Sequence, residues 1–444
     1  MSSIARELDR AELLASFDAM RSRTRSLFDL VAPESYESRP IRLRNPIVFY
    51  EGHLPAFNVN TLLKKGLGRE GVDAELEHIF ERGIDPEDEA TAAPRGNVSS
   101  WPERAVVLQF AEAADRAIRE ALENAPLESD VRPALRRGEA VFTMLEHELM
   151  HQETLLYILH QLPYDQKRRP AGAIPEGDGP PPRPETVRVP RGVATLGASR
   201  DSMPFGWDNE FPKLEVEVPA FDIDVCDVSN GEFLDFVEAG GYEQETLWTP
   251  QDWRWLRGAS IENPLFWKRR KGHWHWRGLF EEIPLPPGWP VYVTQAEASA
   301  YARFRGKRLP TEAEIHRAAY GNPAGRERAY PWGEEPPEES RGNFGFQRWD
   351  PVRVGSFPAG RSAWGVQDLV GNGWEWTSTV FEGFPGFRPM ASYPEYSADF
   401  FDGLHFVLKG ASPATATELL RRSFRNWFRP RYPYVYATFR CVAA

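Results

Sequence analysis

A chain of 444 residues is too long for one ordinary hydrophobic core and fits two or three domains. Its net charge of -12, without a sustained Lys/Arg run, argues against a nucleic-acid or anionic-membrane surface and points to small molecules, cationic ones included. Only Cys226 and Cys441 are present, far apart and outside any Cys-x-x-Cys, which argues against a disulfide scaffold and a thiolate zinc site. No apolar leader follows Met1 and no run of about 18 apolar residues occurs, so the expected compartment is the cytoplasm.

In chain order, residues 4–31 carry a helical pattern (Leu8, Leu13, Leu14, Phe17, Met20, Leu27, Phe28) that stops at Ala32-Pro33. An extended link over 39–46 leads into the apolar run 47–58, helical in character despite Pro55. Further helical stretches cover 73–82 and 102–124, and another begins near Val131 and runs to Leu162. The count and the short connections predict an up-and-down helical bundle over 1–163. Residues 164–186, rich in Pro, Gly and charge, read as a semi-rigid linker. Beyond it, over 187–444, short strand-like runs (187–190, 214–219) alternate with helical segments at 230–240, 294–305 and 311–320. Most of the 15 tryptophans lie beyond residue 206, so the two halves are different kinds of domain.

The chemistry concentrates in Glu146-His147-Glu148-Leu149-Met150-His151-Gln152, in the last helix before the linker. Two histidines four apart project from one helix face a turn apart, so their imidazoles can converge on one metal ion. Met144, His147, His151, Leu155 and Ile158 share a stripe, so the pair faces inward. Two core histidines are the plain alternative. His147-Glu148-Leu149-Met150-His151 also spells the zinc-protease motif, with Glu148 as the water-activating base, but no metzincin-type histidine follows it.

In the second half, Arg308-Leu309-Pro310-Thr311-Glu312-Ala313-Glu314, Tyr330-Pro331-Trp332-Gly333, Gly371-Asn372-Gly373-Trp374-Glu375-Trp376-Thr377 and Phe439-Arg440-Cys441-Val442 resemble the ordered signatures of the formylglycine-generating-enzyme fold, a compact, irregular relative of the C-type lectin domain. Thr311 with Glu314 is a capping box, and the motifs read as mainly structural. The cysteine pair of the formylglycine-generating enzymes is missing, so their activity is not implied. A helical bundle followed by this domain resembles the ergothioneine-type sulfoxide synthases and the related selenoneine synthases. The fold class implied is α+β, a DinB-like four-helix bundle joined to a formylglycine-generating-enzyme-like domain that contributes the substrate pocket.

The resemblance implies a nonheme iron oxidoreductase in which His53, His147 and His151 hold Fe(II), with Glu148 supporting them rather than acting as a base. The implied reaction is O2-dependent C–Se or C–S bond formation between the imidazole of hercynine and a selenosugar or a thiol. Tyr393 aligns, across a gap at Met390-Ala391-Ser392, with the catalytic tyrosine that supplies a proton; Tyr50 and Tyr396 are the reserves. Trp427 offers a π face to the trimethylammonium of hercynine. Phe428 stands where γ-glutamylcysteine-using relatives carry an acid, Met150 where they often carry Gln, and Gly410-Ala411-Ser412-Pro413 replaces a Gly-Gly-Ser-Trp. These departures put the chain outside that branch and favour a selenosugar, with cysteine or another thiol as the alternative donor. A DinB-like metal-dependent thiol transferase and a non-catalytic lectin-like module are the more remote readings.

Overall fold

The computed structural model describes residues 8–81, 101–175 and 179–444. The first four positions of the helix expected over 4–31, the last of the stretch expected over 73–82, and residues 176–178 of the expected linker lie outside them. The chain divides into two compact units, Met1–Pro170 with Pro389–Tyr396, and Ala171–Arg388 with Ser397–Ala444.

In the first unit, Asp9 caps helix α1 (Arg10–Phe28) by accepting the N–H groups of Ala11 and Glu12. Leu13, Phe17, Met20, Thr24 and Leu27 are its buried stripe. Every residue of α2 (Ile47–Asn58) is buried, and the chain continues without a break into a π-wound turn, Val59–Gly66. Nothing in the apolar spacing announced that turn. The short α3 (Ala74–Ile79), capped by Asp73, leans on α2. The bundle closes with α4 (Arg104–Asn124) and α5 (Glu139–His160), α1 and α2 each packing on both. The last helix starts later than expected. Residues Pro133–Gly138 form a 3-10 turn that ends with Arg137 and Gly138 at positive φ, and such backbone cannot continue a right-handed helix.

The second unit is built on short strands: Thr186–Val189 (β1), Gly192–Leu196 (β2), Leu214–Val218 (β3), Phe221–Asp224 (β4), Trp267–Arg270 (β5), His273–Arg277 (β6), Glu282–Pro284 (β7), Lys307–Arg308 (β8), Gly373–Val380 (β9), Phe406–Ala411 (β10), Asn426–Phe428 (β11), Ala437–Thr438 (β12) and Val442–Ala443 (β13). They form sheets ordered β1-β4-β13-β8, β11-β10-β9-β12, β2-β3 and β5-β6-β7. Helices Asn230–Glu238 (α6), Gln295–Phe304 and Glu312–Tyr320 open on reciprocal capping boxes from Ser229, Thr294 and Thr311. A further helix, Pro250–Gly258, was not expected, although Thr249 as cap and Pro250 in the first turn are its sequence signature.

The quoted motifs converge on the core of this unit. The Arg440 guanidinium pairs with Glu375 at 2.6 and 3.0 Å and with Asp227 at 2.8 Å, all three fully buried. Asn372, at positive φ, accepts the Val352 N–H and donates to its carbonyl, both at 2.9 Å, while Trp374 and Trp376 are buried on the strand that follows.

Candidate metal centre

Helix α2 presents Phe49, His53 and Phe57 at steps of four, and α5 presents His147 and His151 at the same step. One ring nitrogen from each of His53, His147 and His151 lies within 4.8 Å of the other two. The ring centroids are 5.3 Å apart for His53 and His147, 5.2 Å for His53 and His151, and 4.4 Å for His147 and His151. Residues 94 positions apart thus meet because α2 and α5 are packed neighbours.

The surroundings fit a cation. Burial holds the pKa values of His147 and His151 well below the ordinary histidine value, and the neighbouring imidazoles push in the same direction. Both rings are therefore neutral, the form that ligates a metal. Among the described residues nothing hydrogen-bonds the buried Nδ1 of either ring, a costly arrangement unless something else uses the site. His53 Nδ1 lies 2.9 Å from the Phe80 carbonyl, the usual way a metal-binding imidazole is oriented with its other nitrogen free for the ion. The His147 ring stacks on Phe57 at 3.5 Å and 7°, and the His53 ring on Phe49 at 4.9 Å and 17°. These aromatic walls keep water from two of the three imidazoles.

Tyr393, on the segment Pro389–Tyr396 that belongs to the first unit, lies edge-on to Phe57 (5.3 Å) and His147 (6.2 Å). Tyr50 is buried 5.8 Å from the His151 ring, and the Tyr396 hydroxyl donates to Met150 Sδ at 3.2 Å. All three tyrosines singled out by the sequence are in this unit. Trp427 and Phe428 are on β11 in the second unit, paired with Val407 and Phe406. Phe381 stacks on Trp427 at 4.1 Å and 7°, and Phe428 stacks on Tyr432 at 5.4 Å and 6°.

Glu148 is neither a base nor a support for the histidines. Its oxygens accept from Arg21 Nη1 (2.7 Å), Thr24 Oγ1 (2.6 Å) and Asn58 Nδ2 (3.0 Å), and the residue is fully buried. Burial opposes the Arg21 charge, but Glu148 and Asp115 outweigh it and raise the guanidinium pKa. The zinc-protease pentapeptide is therefore a coincidence of spelling. Sequence reasoning missed Phe49 and Phe57, although their steps of four around His53 were visible, and missed Phe80, for which no local signal exists.

A helical bundle with three convergent imidazoles, followed by a strand-built second unit, defines a class of two-domain proteins with a candidate metal centre in the bundle. Residues 16–155 match the DinB superfamily, and residues 173–444 match the sulfatase-modifying factor enzyme 1-like domain. The hercynine oxygenase of Mycolicibacterium thermoresistibile is 34% identical, the alignment covering 96% of this chain and 94% of that one. That of Mycobacterium tuberculosis is 40% identical over 67% of this chain and 70% of its own length. Ergothioneine biosynthesis protein 1 of Schizosaccharomyces pombe is 29% identical over 97% of this chain and 56% of its own. The chain belongs to this ergothioneine synthase family and is an oxidoreductase. No helix among the described residues is long and apolar enough to cross a membrane.

Proposed function

We propose that the protein joins the imidazole of hercynine to a selenosugar in an iron(II)- and O2-dependent oxidation, with cysteine or another thiol as the alternative donor. The observation that carries the reading is the convergence of His53, His147 and His151 on one point, in a chain related along its length to a hercynine oxygenase. An all-imidazole set suits iron, zinc, copper and nickel alike, and the oxidative chemistry of the family selects iron. Iron held by His53, His147 and His151 would supply open positions at which O2 and a soft chalcogen donor come together.

The reaction balances without a further reductant. The hercynine C–H and the donor Se–H (or S–H) bonds break, a carbon–chalcogen bond forms, and O2 takes four electrons, leaving one oxygen on the chalcogen and one in water. The chain's own groups must orient the partners and move protons. Tyr393, edge-on to the His147 ring, carries the proton-donor role at its hydroxyl. Trp427, on β11, is the aromatic face assigned to the trimethylammonium, and Phe428 replaces the acid expected in the γ-glutamylcysteine branch. Met150, a thioether next to His151 in sequence, supports a soft, weakly hydrogen-bonding donor side.

The test is anaerobically iron-loaded protein given hercynine and O2 with γ-glutamylcysteine, cysteine and a selenosugar in turn, the products read by mass spectrometry. A hercynine–selenosugar adduct is expected, and Tyr393→Phe should slow its formation by about 10²- to 10⁴-fold while iron content stays the same. A sulfur adduct alone would move the thiol reading to first place. Hercynine left unconsumed with every donor would overturn the function.

A further inference from the structure

Glu139, Thr143, His147 and His151 are successive residues of one i, i+4 row on α5, each about 6 Å further along the axis. The segment carrying Tyr393 runs along the same row. The Ser392 backbone N–H and hydroxyl both donate to Glu139 Oε1, at 2.8 and 2.9 Å. Ser392 Oγ is also 2.8 Å from Thr143 Oγ1, and its carbonyl accepts from Lys65 Nζ at 2.9 Å. Next in sequence, Tyr393 packs at His147, and Tyr396 reaches Met150 just before His151. Ser392 is only 1% exposed and Thr143 is fully buried, so water does not compete freely for these bonds.

We infer that Glu139 is a positioning residue: through Ser392 it fixes the register of the 389–396 segment on α5 and so places Tyr393 beside the metal-binding histidines. Two bonds to one carboxylate oxygen resist both sliding and twisting of the segment. A slip by one residue would carry the Tyr393 ring away from His147. Thr143 completes the chain of hydroxyls, donating to Ser392 Oγ while Ser392 donates to Glu139. A carboxylate at the first residue of α5 also faces the positive end of the helix dipole.

This inference rests on the proton-donor reading of Tyr393, and the test separates the two. In full-length, iron-loaded protein, Glu139→Ala should lower kcat by about 10- to 100-fold with KM for hercynine within about twofold, the mark of a misplaced reacting group. Glu139→Gln keeps an acceptor oxygen and should recover most of the rate. Added to Tyr393→Phe, Glu139→Ala should cost nothing further. Hydrogen exchange of the 389–396 segment, followed with and without metal, should quicken at least about tenfold in Glu139→Ala, because the Ser392 N–H loses its acceptor. Should Glu139→Ala fail to fold, Ser392→Ala takes its place, with loss in kcat and faster exchange again expected. Wild-type rate in Tyr393→Phe would overturn the reading of Tyr393 and, with it, the catalytic purpose of the clip. A slow Tyr393→Phe beside a Glu139→Ala of wild-type rate and unchanged exchange would overturn the clip alone.

Discussion

A Cβ on Gly52 would lie 2.5 Å from three atoms of the Phe80 ring, closer than any side chain tolerates. The glycine therefore lets Phe80 reach α2, and the Phe80 carbonyl meets His53 Nδ1 one residue further on. Gly52→Ala should push Phe80 aside and release the His53 ring. Because a bond of this kind typically governs metal affinity by about 10- to 100-fold, iron(II) binding measured by anaerobic titration should weaken by that factor. Unchanged affinity would mean that contacts other than the Phe80 carbonyl, stacking on Phe49 among them, orient His53. His53 entered from the sequence through family resemblance, whereas the reason for Gly52 could not be read locally. It depends on a ring that is 28 positions away in the chain and adjacent only after folding.

Helix α5 shows what an element's pattern reveals and what it hides. The stripe through Met144, His147, His151, Leu155 and Ile158 predicted which residues turn inward, and four of the five are buried while His151 is half-buried. That stripe does not include Glu148 or Gln152. Both are fully buried, Glu148 against Arg21, Thr24 and Asn58, and Gln152 donating to the Met20 carbonyl and Thr24 Oγ1 at 3.0 Å. A helix enclosed on every side carries polar residues inward when another helix supplies their partners, and that pairing is invisible in a single segment. Glu148→Ala would leave the Arg21 charge with Asp115 alone. Loss of one member of a buried pair costs roughly 3 kcal/mol, so the variant should unfold at clearly lower denaturant, with iron binding by the surviving folded protein preserved. A protease-type base would give the opposite result, full stability with lost activity.

For the whole molecule, the structural division at Pro170/Ala171 falls inside the stretch whose composition suggested a linker, whereas the return of Pro389–Tyr396 to the helical unit had no sequence signal. Composition marks where a chain changes character. It does not show which surface a short irregular segment will occupy. The same composition provides a separate probe of the second unit, since 14 of the 15 tryptophans lie beyond residue 206. Within that unit Asp368 is buried, and burial pushes its carboxyl up to about 6 against the opposing effects of the Gly355 N–H, donated at 2.6 Å, and the Arg440 charge. In the unfolded chain the group returns to the ordinary aspartate value of about 3.9. Between those two values the folded state keeps a proton that the unfolded state has released. The contribution to stability is therefore full below the unfolded value and is lost as pH rises through about 6. Asp368→Asn keeps an acceptor oxygen for Gly355 but cannot titrate. Urea unfolding followed by tryptophan fluorescence should then show the variant gaining on the wild type by roughly 2 kcal/mol between pH of about 4.5 and about 7.5. Parallel pH profiles for the two proteins would mean that Asp368 ionises in the folded state as an exposed carboxyl does.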